Sequence, residues 1–228
     1  MAPLLAALAG IVSLVAARRL RRERLPARAV IVSPRKSTSL AHDGAVSSIQ
    51  SAELTVDAED LLKLWNPTNL ENLASTYWRF LTKVTLGFVR VKYGKHSRSV
   101  CFLIKPLTLL RFEPPDYEFQ AAHGKVVWRI RDGLLVARAG RCCGHLSLDV
   151  EILDQPAEPG KAVIRIVVDV SNFYPSIAAG FSTPVYEATQ SFLHVLVTHA
   201  FLRSLATLKL SESKVGKLAA APENQVPE

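Results

Sequence analysis

Apolar and polar positions divide the chain into segments of different periodicity. Ala2 to Ala17 carries no charged side chain. From Ile49 onward, apolar residues first alternate, then recur every three or four positions to about Val84, and alternate again to about residue 170. Helical spacing returns over 182–208. Because a period of two is typical of strands and a period of 3.6 of helices, the pattern predicts an α+β protein.

The first part of the predicted domain is a short strand followed by two helices. A strand over 49–56 leads to Asp57, which can cap a helix over 58–65. Asn66 caps a second helix, with Pro67 at its first position. One face of this second helix is apolar and is expected to pack inward. That face consists of Leu70, Leu73, Ala74, Tyr77, Leu81 and Val84.

An antiparallel sheet is predicted for the middle of the chain. Asp132-Gly133 is typical of a type I′ hairpin turn, which would place Trp128 opposite Ala137. Matching apolar positions in the last hairpin places Glu151 opposite Arg165, as a solvated cross-strand pair and not a catalytic dyad. The predicted strands cover 86–93, 98–105, 107–112, 117–121, 125–131, 134–140, 145–153 and 162–170.

The last predicted element is a long helix over about 182–208, which Ser182 or Thr183 can cap. Polar residues interrupt its apolar positions too often for a membrane span, so the helix is expected to cover the sheet. The interrupting residues are Glu187, Gln190, His194, His199 and Arg203. The tail over 211–228 loses periodicity and is expected to be disordered.

The uncharged leader over 1–17 is predicted to be a single transmembrane anchor. Sixteen helical residues span roughly 24 Å, which is enough if the flanking cations reach the headgroups. A cleaved signal peptide, with Val15-Ala16-Ala17 as its processing site, and a peripheral apolar stretch are the alternatives. The cations follow the apolar run, which places the rest of the chain in the cytoplasm and near anionic lipid headgroups. They are Arg18, Arg19, Arg21, Arg22, Arg24 and Arg28.

Composition limits the remaining possibilities. The 228 residues carry a formal net charge of +8, but residues 1–28 hold six arginines and one glutamate, which leaves only +3 for the rest. That excess is too small to indicate a nucleic-acid-binding protein. With the leader and tail removed, the chain is long enough for one globular domain over 48–210, preceded by a basic linker over 18–47.

The sequence contains no recognised catalytic signature. The three cysteines, Cys101, Cys142 and Cys143, do not form a disulfide pattern. Cys143 and His145 could share a strand face, but two ligands are too few for a zinc site. Because there is also no phosphate-binding glycine loop and no nucleophile elbow, no catalytic residue, metal or cofactor is expected.

The element order resembles that of the START-like helix-grip superfamily. The stretch from Thr55 to Leu62 is similar to its first strand-to-helix passage, and the resemblance covers about residues 48–210. It implies a curved antiparallel sheet, a long C-terminal helix, and between them a cavity for a lipid-like or aromatic ligand. The candidate ligand-binding residues on this basis are Phe102, Trp128, Leu148 and Ile166 on the sheet and Glu187, Gln190 and His194 on the helix. The alternative is that these apolar residues form ordinary core and the polar ones a solvated helix face.

Three short stretches also resemble an uncharacterised actinobacterial membrane-anchored family. They are Tyr77-Trp78-Arg79-Phe80, Asn172-Phe173-Tyr174-Pro175 and Thr189-Gln190-Ser191. The preferred interpretation is a membrane-tethered domain on the cytoplasmic side that binds or presents an apolar small molecule or lipid. The alternatives are a solidly packed interaction protein of the bacterial envelope and an enzyme of the cyclase or hydratase kind, which would need a buried acid or base such as Glu187 or His194.

Overall fold

The described residues form ten strands, three α-helical segments and a 3-10 turn at Arg138–Gly140. The computed structural model describes residues 25–32, 37–94, 97–103, 107–154, 158–176, 195 and 197–213. The helices are α1 (Ala58–Leu64), α2 (Pro67–Val84) and α3 (197–204), which continues into a 3-10 turn at Leu205–Thr207. The strands are β1 (Arg28–Ile31), β2 (Thr38–Leu40), β3 (Val46–Asp57), β4 (Val89–Gly94), β5 (Ser97–Phe102), β6 (Thr108–Phe112), β7 (Asp116–Phe119), β8 (His123–Asp132), β9 (His145–Leu153) and β10 (Lys161–Phe173).

These strands make one antiparallel sheet in the order β1-β3-β10-β9-β8-β6-β5-β4. Strand β2 pairs with β3, and β7 pairs with β8. Strand β3 turns every second side chain inward, including Leu54 and Val56, which are buried. The chain then enters α1 and α2, which lie against this inner face.

The α+β class and the order of strand, two helices, antiparallel strands and final helix agree with the sequence prediction. Helix α2 begins as predicted, because the Asn66 side chain accepts a hydrogen bond from the Asn69 N–H at 2.9 Å and Pro67 is the first helical residue. It ends at Val84, the last residue of the predicted apolar face. Glu151 also pairs with Arg165 across β9 and β10, as the matched apolar positions predict.

The basic linker predicted over 18–47 is wrong in part. Arg28–Ile31 and Thr38–Leu40 are short strands that pair with β3. Both strands are short, and a polar, turn-forming stretch separates them, so neither shows the long alternation that predicts a strand. Strand β3 therefore has partners for its whole length, and the domain begins well before residue 48.

The hairpin predicted at Asp132-Gly133 is also wrong. Gly133 has φ +147°, which lies outside the range of a type I′ turn. The chain after it crosses to β6, where the Leu134 N–H donates to the Thr108 carbonyl at 3.0 Å. Trp128 pairs with Leu146 of β9 and not with Ala137. Strand β8 already has β9 on one edge and β6 with β7 on the other, so residues 134–140 find no free edge.

Several predicted segments lie outside the described residues. They are the anchor over 1–17, the cations Arg18, Arg19, Arg21, Arg22 and Arg24, the start of the last helix with Glu187, Gln190 and His194, and the tail beyond residue 213. Within the ranges that the structure describes, no helix combines the length and apolar character needed to cross a membrane.

Candidate functional site

An apolar cleft opens where α1 and the start of α2 meet the inner face of the sheet. Its volume is about 80 Å³. The floor is formed by alternating inward side chains of the sheet, and the walls come from α1, α2 and the chain after α3. The lining residues are Leu54, Leu61, Leu64, Trp65, Asn66, Asn69, Leu70, Leu73, Phe119, Gly124, Val150, Ile164, Ile166, Leu205, Leu208 and Leu210. The described lining contains no charged residue, so the cleft suits a neutral hydrocarbon group.

The local sequence explains why leucines of α1 and α2 line the cleft. Leu70 and Leu73 are three positions apart in α2 and face the sheet on the same side. Leu61 is the buried residue of α1, one helix earlier. Below them, Gly124 of β8 faces Leu70, and a Cβ at this position would lie 3.4 Å from the Leu70 methyl groups, in van der Waals contact.

The mouth of the cleft carries the few polar groups of the site. Trp65 and Phe119 lie across the opening with their ring centroids 5.3 Å apart, and the Trp65 indole N–H donates to the Gln120 carbonyl at 3.2 Å. The Asn66 carboxamide caps α2 and also donates to the Lys63 carbonyl at 3.1 Å. Asn69 lines the cleft one turn further along. A ligand would meet aromatic edges and amides here before it reaches hydrocarbon.

The chain after α3 closes one side of the cleft as a strap, which we define as residues 205–213. Leu208 has a left-handed φ of +51°, and the residues after it have no regular structure. Side chains of α2 hold the strap: the Ser211 N–H donates to the Thr76 hydroxyl at 2.7 Å and the Ser213 N–H to the Asn72 carboxamide oxygen at 2.8 Å. Leu205 and Ala206 are buried in the core, whereas the backbone after Leu208 is irregular, which favours local opening of residues 209–213 and a wider cleft.

Beyond the cleft, the interior is filled by aromatic rings. Trp78 lies edge-on to Trp128 with centroids 5.2 Å apart, and Phe112 packs against Trp78 in a tilted arrangement with centroids 5.4 Å apart. Tyr77 stands edge-on to Phe201 of α3 at 5.2 Å. These rings occupy the face of the sheet on which the sequence predicts a cavity.

The indole nitrogen of Trp78 is buried in this packed interior and has no hydrogen-bond partner within the part of the chain that the structure describes. Burial raises the pKa of the neighbouring Tyr77 hydroxyl to about 12, and a hydrogen bond with the Thr198 side chain opposes this shift. Tyr77 therefore stays protonated and neutral at physiological pH.

A second buried polar group lies between α2 and the sheet. Glu71 and Arg98 are both buried, and both act on Tyr117. Burial first, and then the Glu71 carboxylate, raise the pKa of Tyr117 to about 12, while the positive charge of Arg98 opposes the shift. Sequence reasoning missed these residues, because a single Glu or Arg in an amphipathic pattern reads as exposed.

The predicted ligand-binding residues are distributed between the cleft, the core and the surface. Ile166 lines the cleft. Trp128 and Leu148 are fully buried core residues. Phe102 is exposed and stacks on Phe88, because β5 ends there, outside the area that α2 covers. Of the membrane-proximal cations, Arg28 is described and lies in β1 opposite Thr55.

The cysteine stretch does not gather ligands. Cys142 and Cys143 are exposed thiols that bond backbone carbonyls, Cys142 that of Arg131 and Cys143 that of Ala139. In the described ranges, no group of three or more potential ligand side chains comes together.

A polar network joins β2, β3 and α3. The Gln50 side chain is fully buried; its carboxamide oxygen accepts from the His199 ring nitrogen at 2.7 Å, and its amide donates to the Ser37 and Ser48 hydroxyls. Burial first, and then the charge of Arg203, lower the pKa of His199 below its usual 6.5. His199 is therefore neutral at physiological pH and fixes α3 to the sheet.

This lowered pKa predicts a pH dependence of stability. The unfolded chain binds a proton at His199 more readily than the folded one, so stability is complete above about pH 6.5 and falls as the pH drops below that value. In urea unfolding between about pH 5 and pH 7.5, His199→Gln should show a weaker loss of stability on acidification than the wild type. Identical pH profiles for the two proteins would contradict this assignment.

The sequence matches no family model and no curated protein. Solved structures resemble the chain at low identity. An uncharacterised protein from Bacillus thuringiensis is 12% identical over 72% of this chain and 99% of that chain, with a TM-score of 0.36. Human STARD10 is 12% identical over 77% and 75%, with a TM-score of 0.30. Truncated norcoclaurine synthase from Thalictrum flavum is 13% identical over 71% and 94%, with a TM-score of 0.31. At these sequence identities and TM-scores, no ligand or activity of these proteins can be assigned to this chain.

Proposed function

We propose that this domain binds the apolar end of a small amphipathic molecule or lipid in the cleft between α1, α2 and the sheet. The observation that carries the proposal is the lining, which is hydrocarbon throughout except for Asn66 and Asn69. Such a surface gains free energy when it is covered by another apolar group, at about 25 cal/mol per Å². Binding, and not turnover, is the expected activity.

The cleft limits what can enter. Its 80 Å³ is well below the roughly 300–1,000 Å³ of a drug-sized pocket and equals two or three water-sized groups. We therefore expect a short hydrocarbon end to enter, with the polar part of the molecule left at the mouth near Asn66. Opening of the strap would admit a longer segment. This mode of binding makes size and neutrality, and not charge, the basis of selection.

The proposed setting is the cytoplasmic surface of a membrane. In this proposal the leader over 1–17 stays attached as an anchor, and the six arginines behind it hold the domain close to anionic headgroups. A tethered domain would take a lipid-like molecule from the bilayer beside it or present one there. Accessibility labelling of residues beyond Arg28 in intact cells tests this topology, and labelling from outside would contradict it.

Trp65 offers a native probe for the cleft, because its ring forms part of the mouth. Titration of the full chain with a dibrominated fatty acid, whose bromines quench indole fluorescence on contact, should quench the Trp65 share of the tryptophan emission in a saturable way. The buried Trp78 and Trp128 contribute a background that should stay constant. The combined substitution Leu208→Phe and Leu210→Phe reduces the space and should weaken binding about fourfold, the factor for one buried methylene at about 0.8 kcal/mol. The matched control is Leu62→Phe, at an exposed position of α1.

Equal quenching of both variants would place the fatty acid outside the cleft and contradict the proposal. If quenching is weaker only in the cleft variant, native mass spectrometry of the full chain extracted from its own host, with analysis of the co-purifying lipids, identifies the natural occupant.

A packed interaction protein without a ligand is the second candidate. The aromatic packing of Trp78, Trp128 and Phe112 favours it, because those rings fill the face on which a cavity is predicted. Absence of any saturable quenching of Trp65 would support this candidate over ligand binding.

A further inference from the structure

Six large apolar side chains are exposed together at one end of the sheet, and we call them the apolar tip. They are Leu86, Phe88, Phe102, Leu103, Leu107 and Leu134, each between 39% and 56% exposed. They come from the turn after α2, the end of β5, the start of β6 and the chain after β8. Single exposed apolar residues are normal, but a contiguous group of this kind marks an interaction site.

Backbone bonds fix the apolar tip in place. The Leu103 N–H donates to the Phe88 carbonyl at 2.7 Å, and the Phe102 N–H donates to the Leu107 carbonyl at 2.9 Å. The rings of Phe88 and Phe102 stack with centroids 6.3 Å apart. Leu134 joins the group through its N–H, which donates to the Thr108 carbonyl next to Leu107. The four chain segments thus present one surface.

Two residues of the apolar tip hold a backbone conformation that leucine disfavours. Leu86 has φ +52° and Leu103 has φ +56°. The left-handed region brings Cβ close to the carbonyl oxygen, and bulky residues occupy it rarely. In both cases the unusual backbone lies in an exposed turn, where a glycine or asparagine would be favoured. Strained backbone of this kind is found preferentially at functional positions.

A polar groove of about 1160 Å³ adjoins the apolar tip on the outer side of β4, β5 and β6. We call it the basic groove, because its charged lining is Lys92, Arg111, Arg131 and Arg141 against the single carboxylate of Asp132 among the described lining residues. Asp132 is shared between Arg111 at 3.4 Å and Arg131 at 3.2 Å. One carboxylate cannot neutralise four cations, so the groove keeps a positive excess.

The basic groove and the apolar tip are continuous. Leu134 belongs to both, and Thr108 lines the groove while its carbonyl bonds Leu134. Arg90, whose guanidinium donates to the Gly87 carbonyl at 3.0 Å, adds a further cation beside the turn that carries Phe88. Apolar side chains bordered by cations are complementary to the boundary between hydrocarbon and negatively charged headgroups.

We infer that the apolar tip and the basic groove together form a docking surface for an anionic membrane. The aromatic and leucine side chains of the tip enter the interfacial layer, and the guanidinium groups of Arg131 and Arg141 bind lipid phosphates. This surface needs neither the cleft nor the predicted anchor, so it goes beyond the proposed function. It also fixes which side of the domain faces the bilayer.

Hydrogen exchange of the full chain, reconstituted into vesicles and followed by mass spectrometry, tests this docking. Vesicles of phosphatidylcholine alone are compared with vesicles that also contain phosphatidylglycerol. We expect amides in residues 86–92 and 97–103 to exchange about twenty-five-fold more slowly in the anionic vesicles, because Arg131 and Arg141 each contribute about fivefold near such a surface. The arginines behind the leader also respond to anionic lipid. Their contribution is the same in every variant that keeps the leader, so variants of the docking surface separate it from the docking.

Matched variants identify the groups responsible. The combined substitution Arg131→Glu and Arg141→Glu should abolish the slowing of exchange. The control, Lys63→Glu with Lys209→Glu, makes the same change of net charge at exposed positions elsewhere and should leave the slowing intact. Phe88→Ser with Phe102→Ser should abolish it through loss of the apolar tip. Exchange in β10, away from the surface, must stay as slow as in the wild type, which shows that each variant is folded.

Three results would overturn the inference. The first is equal exchange of residues 86–92 and 97–103 in neutral and anionic vesicles. The second is the same slowing with inorganic phosphate and no vesicles, which would make the basic groove a site for free anions. The third is slowing that depends on protein concentration in detergent without lipid, which would make the apolar tip a contact with a second copy of the chain.

Discussion

Trp128→Ala is expected to lower the free energy of unfolding by about 3–5 kcal/mol, because it removes a large side chain from a site that cannot collapse. Trp128 is only 1% exposed, lies edge-on to Trp78 and pairs with Leu146 in the middle of the sheet. Because domains of this size are stable by about 5–15 kcal/mol in total, the variant should retain little margin at 25 °C. Urea unfolding followed by far-UV circular dichroism measures the loss.

Leu62→Ala is the control for this measurement. Leu62 is 80% exposed on α1, so its truncation should change the free energy of unfolding by less than about 0.5 kcal/mol. If Trp128→Ala also fell in that range, the aromatic cluster would not be the core of the domain. Trp128 would then be a candidate ligand contact, as the sequence analysis proposes.

The periodic parts of the chain were the predictable ones. Helix α2 follows from the spacing of Leu70, Leu73 and Tyr77 together with the Asn66 cap, which are all local signals. The register of β9 and β10 follows from matching apolar positions, since a slip by one residue would turn every apolar side chain outward. Each of these features depends on residues that are close in sequence or that repeat regularly.

The features that failed depend on distant partners. Strands β1 and β2 exist because β3 offers them an edge, although their own sequences are polar or short. The stretch over 134–140 alternates like a strand, yet both edges of β8 are already taken by β6, β7 and β9. Propensity and pattern describe a segment alone, whereas strand pairing depends on which edges remain free.

The candidate site shows the same division. Ile166 was predicted as an inward residue and lines the cleft. Its neighbours Leu205, Leu208 and Leu210 come from the strap, whose first residues the sequence assigns to the end of the helix predicted over 182–208. The strap leaves helical geometry at Leu208 because its amides are bound by Thr76 and Asn72 of α2. No local signal near residue 210 indicates those partners.

The turn after β8 is where the second large effect is expected. At Gly133 an added Cβ would lie 2.2 Å from the Leu109 carbonyl oxygen, and φ is +147°. An alanine can adopt neither this contact nor this backbone angle, so Gly133→Ala must displace the turn from β6. The displacement breaks two backbone hydrogen bonds, from the Leu134 N–H to the Thr108 carbonyl and from the Leu135 N–H to the Leu109 carbonyl. Strained backbone costs about 1–3 kcal/mol and each lost hydrogen bond about 1 kcal/mol, which together predict a loss of about 3–5 kcal/mol.

Gly44→Ala separates the two causes. Gly44 also has a positive φ, +85°, but an added Cβ would meet nothing within 4 Å. It should therefore show only the backbone cost of about 1 kcal/mol in thermal unfolding, while Gly133→Ala should show the larger loss. Equal losses for both would mean that the turn moves freely and that β6 does not depend on it. Since Gly133 and Leu134 line the basic groove, a moved turn should also reshape that surface, whereas Gly44→Ala should not.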